Sequence, residues 1–258
     1  MADGIIGCSV TQRIKQIKQP RGGYVNPKNF DIKVLDGGTM DELHPVENVA
    51  PSLVGTAVDY MARFLTGADV DDAFRISFLG ARNVDQEDLY ERLLAHVTGL
   101  NDDSITAALR LVGFDVAFRA DPWLYQPVMR IVPDAETIEN VRTMVNRSLR
   151  FFELYGPVVL SGLEFPGGYT DTVVCGDGDF MTKDTLWDFK VSKQKLTSKQ
   201  TLQLCMYWRM GLRSVHKEYR SVKYLGVFNP RMNVVYRLDV ESISGDILHS
   251  VDTDVIGY

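Results

Sequence analysis

Between Leu186 and Val191 every second residue is apolar, a period of two that predicts a β-strand. Side chains point alternately to the two faces of a strand. One face carries the carboxylate of Asp188 and the ammonium group of Lys190. The opposite face is wholly apolar and is expected to belong to the core; it consists of Trp187, Phe189 and Val191.

A polar turn at residues 183–185 precedes this strand, and an earlier strand is predicted to close at Asp179 and Phe180. A hairpin of this kind would bring Asp179 beside Asp188 and Lys190. Two carboxylates and one lysine at a strand end can hold a hard cation and place a positive charge beside a phosphate. The alternative interpretation is a solvated strand face that carries an ion pair across the hairpin.

Apolar residues at three- and four-residue spacing predict helices at residues 51–67 and 135–155, with further helices between them. The first of these helices opens at Pro51, and Ser52 is its expected cap. The later part of the chain favours strands and one helix; the strands are predicted at residues 158–165, 169–180, 185–192, 222–229 and 233–240. The resulting order αβββαββ is typical of an α/β fold with a mixed central sheet.

These patterns divide the chain into three parts. Residues 1–50 are predicted to be a basic arm that packs loosely on the surface, with phosphate contact as the alternative interpretation. Residues 51–135 form a helical region that packs on the core. Residues 136–258 form the core itself.

Three features downstream of Gly176 together resemble the PD-(D/E)XK nuclease superfamily. They are a first acid at Asp179, the tripeptide Asp188-Phe189-Lys190 and the Gln203-x-x-x-Tyr207 spacing of the RecB-type branch. Gln200, Gln203 and Tyr207 also share one face of the helix predicted after the third core strand. The sequence departs from the superfamily pattern at Gly178, which stands where the proline before the first acid is usual.

The resemblance implies a restriction-endonuclease-like αβββαββ core with an N-terminal helical layer, and an Mg²⁺- or Mn²⁺-dependent deoxyribonuclease. Asp179, Asp188 and the backbone carbonyl of Phe189 would hold the metal, and Lys190 would act on the attacking water or the phosphate. Gln203 and Tyr207 would position the nucleic-acid backbone.

Other acids compete for the metal. Asp171 follows Gly168 with the same spacing that separates Asp179 from Gly176, and Asp177 could serve if the strand bulges at Gly178. Asp59 stands where RecB-type nucleases often carry a metal-binding histidine on a helix. The alternative for Asp59 is a place on the polar face of an amphipathic helix.

The net charge of the chain is −6, but it is unevenly distributed. Residues 183–223 contain ten Lys and Arg against three acids, which makes this segment +7. A basic strip beside a carboxylate site suits a phosphodiester substrate. The side chains expected to contact nucleic acid are Lys193, Lys195, Lys199 and Arg209. An ordinary charged helix face is the alternative interpretation.

Composition narrows the functional classes further. Hydrophobic residues make up 45% of the chain, yet no apolar run is long enough for a transmembrane helix, and no signal peptide is expected. The three widely separated cysteines favour a reducing, cytoplasmic location and count against an iron–sulfur cluster. The resemblance and the basic strip imply nucleic acid, DNA in preference to RNA, as the partner, and the lack of a long apolar run predicts no membrane association.

Two further functions remain open at this point. The chain could be a catalytically inactive module that uses a nuclease-like core to bind nucleic acid or a protein. It could also be another kind of metal-dependent enzyme, although no phosphate-binding glycine loop, Ser/His/Asp set or nucleotide fingerprint favours this.

Overall fold

The computed structural model describes residues 7–35 and 42–258. The chain divides into two compact units. The sheet unit combines the described part of Met1–Leu35 with Glu153–Tyr258, and the helical unit consists of the described part of Asp36–Phe152.

The elements of both units are numbered in chain order. The strands are β1 (Cys8–Ser9), β2 (Asp31–Val34), β3 (Leu160–Leu163), β4 (Val173–Cys175), β5 (Gly178–Met181), β6 (Thr185–Phe189), β7 (Tyr224–Asn229) and β8 (Val234–Asp239). The helices are α1 (Val10–Gln16), α2 (Pro51–Leu65), α3 (Val70–Ala73), α4 (Arg75–Arg82), α5 (Glu87–Leu94), α6 (Asp102–Leu111), α7 (Asp115–Arg119), α8 (Ala135–Tyr155), α9 (Ser198–Arg213) and α10 (Gly245–Ser250). A π-helical segment, Val251–Ile256, follows α10.

Six described strands form a mixed sheet in the order β2-β8-β7-β6-β5-β3. Strands β6 and β7 are parallel, and the other neighbouring pairs are antiparallel. Because the ends of two parallel strands cannot be joined by a tight turn, α9 connects β6 to β7. The predicted α/β class with a mixed sheet is therefore confirmed.

Strand β6 occupies the middle of this sheet, and all five of its residues are buried. Trp187 packs over Gly226 on the neighbouring strand, where a β-carbon would lie 2.3 Å from the indole ring. The indole N–H donates to Thr182. Both faces of β6 are thus covered, as is usual for a parallel strand in a mixed sheet.

The predicted single strand at residues 169–180 is wrong. It is divided into β4, which pairs in parallel with β1 in a separate two-stranded sheet, and β5, which belongs to the main sheet. The polar turn between β5 and β6 is one residue shorter than the predicted turn at residues 183–185, because Thr185 already belongs to β6.

The expectation of a loosely packed N-terminal arm is wrong for residues 8–35. Val10 and Ile14 on α1, together with Val25 and Phe30, are buried in the main hydrophobic core of the sheet unit. Strand β2 adds a sixth strand by pairing with β8. The apolar residues of this segment are what fix it, and they are too widely spaced to stand out in the sequence.

The helical unit contains α2 to α7 and most of α8. Helix α8 has the predicted bounds, and acidic residues stand in the first turns of α5 and α6. Helix α2 begins at Pro51, but its cap is Ala50 without a side-chain hydrogen bond, so the predicted role of Ser52 is wrong. Within residues 7–35 and 42–258, no helix is long and apolar enough to cross a membrane.

Candidate active site

Asp188 and Lys190 form an ion pair at the end of β6. The Lys190 Nζ atom lies 2.8 Å from Asp188 Oδ1. The Asp188 side chain is only 3% exposed, whereas the Lys190 side chain is 32% exposed. The solvated strand face considered as an alternative is therefore wrong for Asp188, whose carboxylate lies inside the protein, while the Lys190 side chain is partly exposed.

The second oxygen of Asp188 has no partner among the described residues. Asp188 Oδ2 is buried and accepts no hydrogen bond from any described residue. A buried, unpaired carboxylate oxygen is costly, because it loses its hydration without compensation. A hard cation is a fitting partner, since carboxylate oxygens are the ligands that Mg²⁺ and Mn²⁺ prefer.

Electrostatics around this pair reflect burial and a second acid. Burial raises the pKa of Asp188 to about 7; Lys190 opposes this shift, and Asp179 adds to it. Burial alone would lower the pKa of Lys190, but Asp188 and Asp179 raise it above its usual range. Lys190 therefore remains a cation, while the two carboxylates repel each other.

Asp179 reaches the pair because β5 and β6 stop pairing early. The last pair of their ladder is Phe180 opposite Trp187, so the ladder does not reach Asp179, the neighbouring residue of β5. Asp179 Oδ2 then accepts a hydrogen bond of 2.6 Å from the backbone N–H of Phe189. The structure thus brings together Asp179, Asp188 and Lys190, as the sequence predicts. The role of the Phe189 carbonyl as a ligand stays a prediction.

Two of the rival acids, Asp171 and Asp177, show no electrostatic coupling to Asp188. Both residues are exposed. Asp177 instead raises the pKa of Tyr169 through its charge, behind the larger effect of burial. Asp59 lies on α2 in the helical unit, and its role as a metal ligand stays a prediction.

Tyr207 binds the backbone directly before β5, the strand that carries Asp179. Its hydroxyl donates to the backbone carbonyl of Asp177 at 2.7 Å and accepts from Gln203 Nε2 at 2.7 Å. Its ring is 2% exposed and stacks on Phe165. The predicted contact of Tyr207 with a nucleic-acid backbone is therefore wrong, because the side chain is enclosed and its hydroxyl is occupied.

Two glycines allow this approach. A β-carbon on Gly176 or Gly178 would lie 3.3 Å from the Tyr207 ring, and on Gly176 also 2.7 Å from Val10. The Gly-Asp-Gly-Asp sequence can therefore pass closely over the tyrosine. This close packing gives a physical reason for glycine at position 178, where the superfamily pattern has proline.

Gln200 forms part of the cap at the start of α9. Thr197 caps the helix, and the Gln200 side chain accepts a hydrogen bond of 2.9 Å from the Thr197 backbone N–H. This is the capping box that a Thr-x-x-Gln sequence can form. Gln200 thus fixes the helix end, although its spacing alone suggests a place beside Gln203 in the site.

The basic strip is divided between two ends of the sheet unit. Lys193, Lys195 and Lys199 are exposed on the segment that follows β6, near the candidate site. Helix α9 then runs back along the parallel strands for 16 residues, about 24 Å. Basic residues at the opposite end of the strands are Lys183, Lys217, Arg220 and Lys223. Only part of the basic strip predicted from charge counts therefore lies at the end of the strands that carries the candidate site.

Arg209 also leaves the predicted set. Its guanidinium group donates two hydrogen bonds to Asp252, of 2.9 and 2.6 Å, and Arg213 donates a third of 2.8 Å. The hydrogen bonds to Asp252 raise the pKa of Arg209. Arg209 thus anchors the C-terminal segment and is not available for phosphate.

A metal ion at this site would depend on few protein ligands. Within residues 7–35 and 42–258, no group of three His, Cys, Asp or Glu side chains could hold a metal. Two carboxylates, Asp179 and Asp188, are close enough to influence each other, and one oxygen of Asp188 is unused. The residues present therefore fit a cation that completes its shell with oxygen atoms of water and substrate.

No family model, curated protein or solved structure gives a significant match to the chain.

Proposed function

We propose that the protein is a metal-dependent nuclease that hydrolyses phosphodiester bonds, with DNA favoured over RNA. The observation that carries the proposal is the buried Asp188, ion-paired to Lys190 through one oxygen and unpaired at the other. An ion pair that only stabilises the fold gains nothing from an unsatisfied carboxylate oxygen. A cation site requires a carboxylate oxygen that no other group occupies.

The order of elements supports a PD-(D/E)XK core as part of this proposal. Helix α8 is followed by β3, β5, β6, α9 and β7, with β4 inserted before β5. Strands β5 and β6 are antiparallel, and α9 connects the parallel strands β6 and β7. This succession matches the αβββαβ part of the fold that the sequence resemblance implies.

Asp179 and Asp188 would hold Mg²⁺ or Mn²⁺, with the Phe189 carbonyl as the third protein ligand. When bound, such an ion polarises the scissile phosphate and lowers the pKa of a coordinated water. Asp188 already has Lys190 on one oxygen, so its other oxygen is the one left for a cation.

The protein's own groups supply the remaining requirements. Lys190 stays protonated and is partly exposed, so its ammonium group can stabilise negative charge that develops on the phosphate. Asp179 is held in place by the Phe189 N–H. Lys193, Lys195 and Lys199 would contact neighbouring phosphates, because all three are exposed on the segment that leaves β6.

The test is cleavage of end-labelled single- and double-stranded DNA and RNA by the wild type and by Asp188→Asn. We expect wild-type cleavage with Mg²⁺ or Mn²⁺, none with EDTA, and a loss of about 100-fold or more in the variant. Binding of nucleic acid without cleavage would replace the proposal with the inactive binding module. Equal cleavage by wild type and variant would exclude this site as its source.

A further inference from the structure

Asn229 ends β7 beside the candidate site and is 2% exposed. Its side-chain amide binds both backbone groups of one residue, Ser192. The Ser192 N–H donates to Asn229 Oδ1 at 3.4 Å, and Asn229 Nδ2 donates to the Ser192 carbonyl at 2.8 Å. The amide thus replaces a neighbouring strand for a residue that lies three positions beyond β6.

The orientation of this amide is fixed by the turn that follows β7. The backbone N–H groups of Arg231 and Met232 donate to Asn229 Oδ1 at 3.1 and 3.3 Å. Only the oxygen can accept from these donors, so Nδ2 must face the Ser192 carbonyl. Every polar atom of this buried side chain is therefore used, and two of its four hydrogen bonds hold the backbone of Ser192.

The consequence falls on Lys190. Its own N–H donates to the Phe228 carbonyl at 2.9 Å, and two residues later Ser192 is held by Asn229. The backbone is thus bound to β7 at Lys190 itself and again two residues later, at Ser192. The segment with Lys193 and Lys195 begins at this attachment and ends at the capped start of α9.

We propose that Asn229 is a positioning residue for the candidate site: it holds the exit of β6 so that Lys190 stays against Asp188. The catalytic part of this proposal rests on the proposed nuclease function. A misplacement of about 1 Å at a reacting group can cost a factor of about 100 in rate, so a residue that fixes the backbone of Lys190 affects cleavage without contacting substrate.

The chain provides a matched control. Asn233 lies in the same turn, is 4% exposed, and its Nδ2 donates to the Leu35 carbonyl at 3.0 Å. Asn229→Asp and Asn233→Asp both remove one amide donor and introduce a buried carboxylate. They differ in the backbone that is released, the exit of β6 in one variant and the end of β2 in the other.

Two measurements compare these variants with the wild type. The first is Mg²⁺-dependent cleavage of labelled DNA, with the rate at saturation separated from the half-saturating concentration. We expect Asn229→Asp to lower the saturated rate about 10-fold or more, with a change in half-saturation below about threefold, and Asn233→Asp to change the rate less than about twofold. The second is limited trypsin digestion without nucleic acid, which should accelerate at Lys193 and Lys195 in Asn229→Asp only.

The outcomes separate the two proposals. Equal loss of rate in both variants would overturn the role of Asn229, because general destabilisation would then explain it. Unchanged digestion at Lys193 and Lys195 would overturn the attachment itself. A wild type that cleaves no nucleic acid would refute the nuclease function and with it the catalytic role of Asn229, while the digestion result would still decide whether Asn229 holds the segment.

Discussion

The carboxylate of Asp179 takes the place of a strand partner for Phe189. Its Oδ2 accepts the Phe189 N–H at 2.6 Å where β5 and β6 have stopped pairing. This bond satisfies a backbone donor near the end of a central strand and holds the first acid near Asp188. The same early end of the ladder makes room for Asp179, so the geometry of the site follows from the strand break.

Lys190→Ala should leave the fold intact and remove most of the cleavage activity. The Lys190 side chain is 32% exposed, but its substitution leaves the buried Asp188 carboxylate without its counter-charge. We expect a loss of about 1–3 kcal/mol in the free energy of unfolding. The rate should fall about 100-fold or more, because the charge that faces the phosphate is lost.

Lys183→Ala is the matched control for this substitution. Lys183 is exposed and lies just before the opposite end of β6. Urea unfolding and Mg²⁺-dependent DNA cleavage should be close to wild type for this variant. Wild-type cleavage by Lys190→Ala would refute the assignment of Lys190.

Asp188→Asn and Asp179→Asn should each abolish the stabilisation of the protein by Mg²⁺. Without metal, the variants should be as stable as wild type or more so, because Asp188→Asn removes a buried charge and either variant removes the repulsion between two close carboxylates. The wild type should gain about 1–3 kcal/mol at ten- to hundredfold excess of Mg²⁺ over its Kd. Thermal melts with Mg²⁺ and with EDTA measure both effects.

Asp171→Asn distinguishes the first ligand from its rival. Asp171 is exposed, so this variant should respond to Mg²⁺ like the wild type. If Asp171→Asn loses the response and Asp179→Asn keeps it, Asp171 is the first ligand. If the wild type shows no response to Mg²⁺ or Mn²⁺, with or without nucleic acid, the metal site itself is refuted.

The part of the site that could be predicted depends on short-range pattern. Asp188 and Lys190 share a strand face because their spacing is two, and Asp179 comes close through a short hairpin. The helical period likewise places Gln203 and Tyr207 one turn apart, and the structure joins them by a hydrogen bond. These relationships need no knowledge of distant parts of the chain.

The part that could not be predicted depends on partners far apart in sequence. Residues 169–180 have the composition of one strand, but β4 pairs with β1 at the other end of the chain. The sequence suggests that Arg209 is a free cation, but in the structure it binds Asp252, 43 residues later. Asn229 belongs to no motif, although an Asn directly before Pro230 is a recognisable turn signal.

Replacing Lys193, Lys195 and Lys199 by Gln should weaken nucleic-acid binding irrespective of sequence. Each phosphate contact releases counterions, so losing three should reduce the slope of log K against log salt by about 2–3. Fluorescence anisotropy at several salt concentrations, with two unrelated DNA sequences, measures this. The loss of affinity should be similar for both sequences.

The triple substitution of Lys217, Arg220 and Lys223 by Gln changes the net charge equally at the opposite end of the parallel strands. All three residues are exposed. Its salt dependence should remain close to that of the wild type. An equal reduction of the slope in both triple variants would mean that total charge, and not the segment after β6, determines binding.

Asp252→Asn should destabilise the protein at neutral pH, and the effect should disappear in acid. Burial would raise the pKa of Asp252, but hydrogen bonds and charges of Arg209 and Arg213 hold it below its ordinary value of 3.8. The carboxylate therefore stabilises the native state above this ordinary pKa, and the contribution is lost as pH falls through the lower native value. The substitution removes the negative charge that faces two partly buried guanidinium groups, and this should cost about 2–4 kcal/mol at pH 7.

Urea unfolding at pH 7, 5 and 3 tests this dependence, with Asp254→Asn as the control. Asp254 is exposed two residues further on, so its substitution should change stability by less than about 0.5 kcal/mol at each pH. The difference between wild type and Asp252→Asn should be the same at pH 7 and 5 and smaller at pH 3, because protonation then weakens the same contacts in the wild type. A difference that stays constant down to pH 3 would show that the shape of the side chain, and not its charge, holds Arg209 and Arg213.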